Sequence, residues 1–149
     1  MSTIKQKARC FIDTNIWLYA FIETDDVEKT EMAKSVIQEN DVFITSQIIN
    51  ETCANLLKKV KFPEKDIQPL ISSFYQKYTV LEISESILVQ ASDLRSHYSL
   101  SFWDSIVVAS AFDSNSSILY SEDMQDGLKI KEKLTIINPF QKSKTQQSN

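Results

Sequence analysis

The chain has 149 residues, 42% of them hydrophobic, with 16 Lys and Arg against 20 Asp and Glu and a net charge of −4. That is one domain's worth of chain with enough apolar residues for a core, and its acidic balance excludes holding nucleic acid by bulk charge alone. Gly127 is the single glycine, where average usage of about 7% would give roughly ten; neither G-x-G-x-x-G nor G-x-x-x-x-G-K-[ST] can be written, so glycine-built phosphate cradles are excluded and tight-hairpin sandwiches disfavoured.

Lys5, Lys7 and Arg9 precede an apolar-looking stretch from Phe11 to Ile22, but Asp13, Thr14 and Asn15 interrupt it, which a secretory segment would not carry. Arg9 to Ile12 instead reads as a short buried strand that stops at Asp13, after which Ile16, Leu18, Tyr19 and Ile22 take helical spacing. Val27, Met32, Ala33, Val36 and Ile37 mark a second helical face, and Val42 to Thr45 a second strand. Ser46 is expected to cap the next helix, which carries Ile49, Cys53, Leu56, Leu57 and Val60 on one face. Pro63 opens another, with Ile67, Leu70, Ile71 and Phe74 inward. Thr79 to Ile83 is the third strand; Ser84 starts a helix through Ile87, Leu88, Ala91 and Leu94, and Phe102 begins one that ends near Asp113. Ser117 to Tyr120 and Leu134 to Ile137 complete five strands.

Strands separated by helices predict an α/β fold with a mainly parallel sheet, in one domain over 1–140, and a flexible polar tail over 141–149. Cys10 and Cys53 stand apart among apolar neighbours, which predicts buried, reduced thiols in a cytoplasmic protein. No stretch reaches the ~18 apolar residues of a membrane span.

In an open parallel sheet, ligands bind beyond the carboxyl ends of the strands, where the following helices begin. That rule gathers four acids: Asp13 after the first strand, Glu51 in the helix entered from the second, Asp104 in the first turn of the helix before the fourth, and Asp123 just after the fourth. Each has a simpler explanation alone. Asp13 can cap its helix, Ser101 and Asp104 match a capping box, Glu51 can be solvated, and Asp123 and Asp126 sit among turn residues. Together, four carboxylates at one edge repel one another unless a cation lies among them, and Mg²⁺ or Mn²⁺ would relieve that repulsion.

The segments F-I-D-T-N-I-W-L-Y (11–19), S-Q-I-I-N-E (46–51), L-S-F-W-D-S-I-V-V-A-S-A (100–111) and I-L-Y-S-E-D-M-Q-D-G (118–127) resemble the motifs of PIN-domain ribonucleases, and most closely those of VapC-type toxins. The resemblance covers roughly residues 9–139, in the family's order. It implies a three-layer α/β/α fold and an Mg²⁺-dependent endoribonuclease, with Asp13, Glu51, Asp104 and Asp123 in the four acidic positions. Asp13 and Asp104 are the expected core metal ligands, Glu51 and Asp123 further ligands or water orienters, and Asn15 and Ser121 supporting hydrogen-bonding groups. Ser121 stands where family members more often have Thr, and Glu122 and Asp126 compete with Asp123 for the fourth place. The resemblance also implies an antitoxin partner and a homodimer, the latter matching apolar residues on the helices from Val27 to Ile37 and from Ile67 to Phe74.

Rival chemistries lack their residues. A metal-free ribonuclease with a histidine acid and a histidine base needs two, and His97 is alone; its place beside Arg95 at a helix end predicts a structural or solvated role. An aspartyl phosphotransferase of the D-x-D type fails because position 15 is Asn. A non-catalytic PIN-like module binding RNA or protein is the alternative reading, and the four acids favour the enzyme over it. Lys58, Lys59, Lys61 and Lys65, and again Lys129, Lys131 and Lys133, are candidates to follow an RNA backbone, with solvated lysine faces as the default. Trp17, Phe102, Trp103 and Tyr120 adjoin the acidic motifs and are candidates to stack on bases, with core packing as the default that their helical and strand contexts predict.

Overall fold

A computed structural model describes residues 6–22 and 25–141. Of the tail expected over 141–149, all but Gln141 lies outside the described residues, as does Lys5. The elements run β1 (Arg9–Ile12), α1 (Thr14–Phe21), α2 (Val27–Glu39), β2 (Asp41–Thr45), α3 (Ser46–Lys59), α4 (Glu64–Lys77), β3 (Thr79–Leu81), α5 (Glu85–His97), α6 (Phe102–Asp113), β4 (Ile118–Tyr120), β5 (Lys129–Ile130) and β6 (Leu134–Ile137).

The strands form one sheet in the order β3-β2-β1-β4-β6-β5, parallel except for the β5–β6 pair. The chain steps outward from β1 through β2 to β3, then crosses back to β4 on the other side of β1. Right-handed crossovers in these two opposite directions put their helices on opposite faces. Accordingly α1 packs on α2 and α3, and α3 on α4, while α5 packs on α6, giving the expected three layers. The direction reverses between β1 and β4, so the crevice such sheets use for ligands opens at the carboxyl ends of those two strands.

Apolar side chains fill both sides of the sheet. Phe11, Ile12, Ile44, Leu119 and Ile136 are fully buried. Under α1, Trp17 packs edge-on against Phe74 and Tyr78, with ring centroids 5.0 and 5.1 Å away, and its Nε1 donates to the Ile12 carbonyl. Buried serines and alanines on α6, among them Ser105, Ala109, Ser110 and Ala111, let that helix lie close to the sheet.

Three sequence expectations change. Thr45, not Ser46, caps α3, because β2 runs straight into the helix and the Thr45 Oγ1 accepts from the Ile48 N–H at 3.2 Å. The α4 face is inward as expected, with Ile67 and Phe74 buried and Leu70 and Ile71 packed against the core, so it does not offer the uncovered apolar surface that the dimer expectation drew on. A sixth strand, β5, joins β6 through a three-residue turn, Lys131 to Lys133, in which Lys131 and Glu132 have left-handed φ (50° and 57°). That hairpin forms without glycine, which is why turn chemistry did not announce it.

Candidate functional site

The register of the two central strands builds the site. Ile12 lies opposite Tyr120, and the ladder continues one residue further, with the Asp13 N–H donating to the Tyr120 carbonyl at 3.0 Å. This sets Ser121 beside Asp13, and the Ser121 hydroxyl donates to Asp13 Oδ2 at 3.0 Å. The other oxygen, Oδ1, accepts from the Thr14 N–H at 2.8 Å, so Asp13 is also the N-cap of α1. The capping role and the site position coincide in one residue.

Asp13, Glu51 and Asp104 line a single small pocket of about 60 Å³, whose wall also includes Trp103 and Gln47 and, among the described residues, no lysine or arginine. Glu51 enters from α3, where Thr14 Oγ1 donates to its Oε2 at 2.9 Å and Gln47 Nε2 reaches its Oε1 at 3.4 Å. Asp104 stands in the first turn of α6, its N–H bound by the Ser101 hydroxyl at 3.2 Å. No hydrogen bond or ion pair engages the Asp104 carboxylate among the described residues. Burial, reinforced by the neighbouring charges of Asp104 and Glu51, pushes the Asp13 carboxyl up to about 6 against the opposing pull of its Thr14 and Ser121 hydrogen bonds.

The loop after β4 holds three acids within five residues, and each goes to a different partner. Asp123 Oδ2 accepts from Asn15 Nδ2 at 2.5 Å, which ties it to the residue two beyond Asp13. Glu122 is drawn away by Tyr19 and Lys29, at 2.9 and 2.6 Å. Asp126 is committed to the turn, accepting from the Asn138 N–H at 2.8 Å. Of the three, Asp123 is therefore the one bonded to Asn15, two residues from Asp13, whereas Glu122 meets the far end of the same motif at Tyr19.

The carboxylates share this edge without closing on a common point: among the described residues, no three of His, Cys, Asp or Glu are drawn close enough to hold an ion directly. All the donors are oxygens, the chemistry of hard cations, and Mg²⁺ characteristically takes one or two carboxylates and keeps several waters. His97 bonds within its own helix, its Nδ1 lying 2.9 Å from the Asp93 carbonyl, and is exposed.

Sequence reasoning did not assign Thr14 a role, although it lies within the first motif; a buried hydroxyl next to an acid was the available signal. It also expected four aromatics in the core. Trp17 is there and Tyr120 is half-buried, but Phe102 and Trp103 are 54% and 63% exposed. The lysines divide similarly. Lys59 shares a groove with Asn15 and Tyr19. Lys131 and Lys133 instead sit over the Phe112 ring, eight residues and about 12 Å along α6 from Asp104.

The family model for the PIN domain matches residues 10–129. Among solved structures, a toxin–antitoxin complex from Klebsiella pneumoniae is similar at a TM-score of 0.68 and 20% identity, over 88% of this chain and 98% of that one. VapC20 of Mycobacterium tuberculosis, a sarcin–ricin-loop-cleaving toxin, is similar at 0.60 and 16%, over 76% and 89%. VapBC2 of Rickettsia felis, bound to a promoter DNA fragment, is similar at 0.61 and 16%, over 87% and 99%. At these identities the likeness is one of fold. None of the curated proteins matches the chain.

Proposed function

This chain belongs to the PIN-domain family, and on that premise we propose that it is a metal-dependent endoribonuclease, the toxin of a toxin–antitoxin pair. The observation that carries the reading is the gathering of Asp13, Glu51 and Asp104 around one pocket where the sheet reverses direction, with Asp123 tethered to the same edge through Asn15. The donor set suits Mg²⁺ or Mn²⁺, and burial, with a smaller push from Asp104 and Glu51, raises the Asp13 carboxyl, a cost that a bound cation would offset.

In this reading Asp13 and Asp104 are the direct ligands. Bound by them, the ion would supply charge to polarise the phosphodiester and ease loss of a proton from water. Glu51, steadied by Thr14, orients the attacking water and takes its proton. Ser121 keeps one oxygen of Asp13 in place, and Asn15 does the same for Asp123, which helps direct in-line attack. The products carry 5′-phosphate and 3′-hydroxyl ends. Lys59, in the groove beside Asn15, takes a neighbouring phosphate of the strand.

Toxin–antitoxin complexes among the similar structures support an antitoxin as protein partner. A homodimer belongs to the same reading, and Val27 and Met32, exposed on α2, offer an apolar contact for it. The cytoplasm suits the two unpaired buried thiols, Cys10 and Cys53.

The test is RNA cleavage by the purified chain in Mg²⁺, Mn²⁺ and chelator, with the end groups of the products analysed. Cleavage that needs the metal and leaves 5′-phosphates is expected. Equal cleavage in chelator would remove the metal, and RNA that is bound but never cut would favour a binding module instead.

A further inference from the structure

The chain has two tryptophans, and they have opposite fates. Trp17 is fully buried, whereas Trp103 is 63% exposed at the wall of the acidic pocket, one residue before Asp104. Its ring is held outward by a relay of contacts. Phe102 packs edge-on against it with centroids 5.2 Å apart, and the Arg95 guanidinium lies 4.5 Å from the Phe102 centroid. Arg95 is in turn anchored by donating to the Ser105 hydroxyl at 2.6 Å. A large apolar ring braced into solvent beside charged groups leaves a flat surface that the fold does not cover.

Among the described residues acids line the pocket and no cationic side chain does, so apart from the metal its wall offers phosphate no attraction. A nucleic acid strand entering it gains from a grip on its bases as well as its phosphates, and stacking on an aromatic face supplies one that tolerates any base. Because the ring and Asp104 share one wall, a strand whose phosphate lies at the acids passes the ring with its adjacent base. Paired bases are not available for this, and unpaired ones are.

We infer that Trp103 is a stacking platform for an unpaired base next to the scissile phosphate, braced by Phe102 and Arg95, and that it selects single-stranded or looped RNA over duplex. The inference rests on the ribonuclease reading for its substrate but can fail separately from it.

The probe is a ten-nucleotide oligoadenylate, compared with an abasic ribose–phosphate strand of equal length, using the non-cleaving Glu51→Gln chain in Mg²⁺, which keeps both direct metal ligands. Oligoadenylate should quench the exposed tryptophan emission, the abasic strand should not, and Trp103→Ala in the same background should abolish the quench. In the otherwise native chain, Trp103→Ala should raise KM for single-stranded RNA roughly ten- to hundredfold with kcat little changed, at low and high salt alike, and Trp103→Tyr should restore it. Equal quenching by the abasic strand, an unchanged KM, or equal cleavage of duplex RNA would overturn the inference. So would a change in the mass of the assembly on Trp103→Ala, which would assign the ring to a protein interface. Base-dependent quenching in a chain whose native form cuts no RNA would instead defeat the nuclease reading and leave the stacking platform standing.

Discussion

Replacing Asp13 with Asn should make the metal-free protein more stable while ending its activity. The Asp13 carboxyl titrates at about 6 in the folded chain against an ordinary value of 3.8. Between those values the folded state binds the proton more tightly than the unfolded chain, so stability present at low pH is lost as pH rises through that window. Above pH 6 the whole gap is felt, about 3 kcal/mol. Asn is uncharged throughout, keeps an oxygen for the Thr14 N–H, and meets a Ser121 hydroxyl that can turn to accept from its amide. In chelator at pH 8 the variant should therefore melt several degrees higher, at about 2–4 °C per kcal/mol for a chain of this size. The gap should shrink towards pH 4. Millimolar Mg²⁺ should raise the native chain and not the variant, because the ion binds only the folded carboxylates. Thermal melts of both proteins at pH 4 and 8, with and without metal, read all of this. A variant no more stable than the native chain at pH 8 in chelator would refute the reasoning.

Asp13→Asn and Asp104→Asn should each lower RNA cleavage at least about a hundredfold with an unchanged circular dichroism spectrum; near-normal activity in either would remove that residue from the metal's ligands. Lys59→Ala should weaken RNA binding and reduce the slope of log K against log salt by about 0.7, and an unchanged slope would place the phosphates elsewhere. Glu132→Gly should relieve the left-handed backbone of the β5–β6 turn and add about 1 kcal/mol without altering cleavage, as melting and activity measured together would show. Light scattering at micromolar concentration should report a homodimer, and a mass near 17.1 kDa at every concentration would refute it.

Hydrophobic patterning made β1, β2, β3, β4 and β6 and all six helices legible: short apolar runs mark the strands, a longer one marks α6, and apolar faces of helical spacing mark the other helices. β5 was not legible: two residues cannot show alternation, and Lys131 and Glu132 adopt a turn that sequence associates with Asn and Gly. The acids at the ends of β1 and β4 followed from topology alone, since the carboxyl edge of a parallel sheet gathers whatever its strands end on. What sequence did not separate was Asp123 from Glu122 and Asp126, because only the tethers from Asn15, from Tyr19 and Lys29, and from the Asn138 backbone distinguish them. The exposure of Trp103 was equally hidden: composition counts an aromatic residue near apolar neighbours as core, and the outward face of α6 is fixed by the first turn's position at the pocket.

The tethering of Glu122 makes the character of the pocket depend on parts of the chain that form none of its wall. Lys29 lies on α2 and Tyr19 towards the end of α1, and between them they occupy both oxygens of a carboxylate adjacent to Asp123. Drift at Lys29 would leave every pocket residue unchanged and still release a further negative charge towards the strand. Relatives that have lost this lysine would be expected to have lost the glutamate as well, so the two positions should vary as a pair although 93 residues separate them.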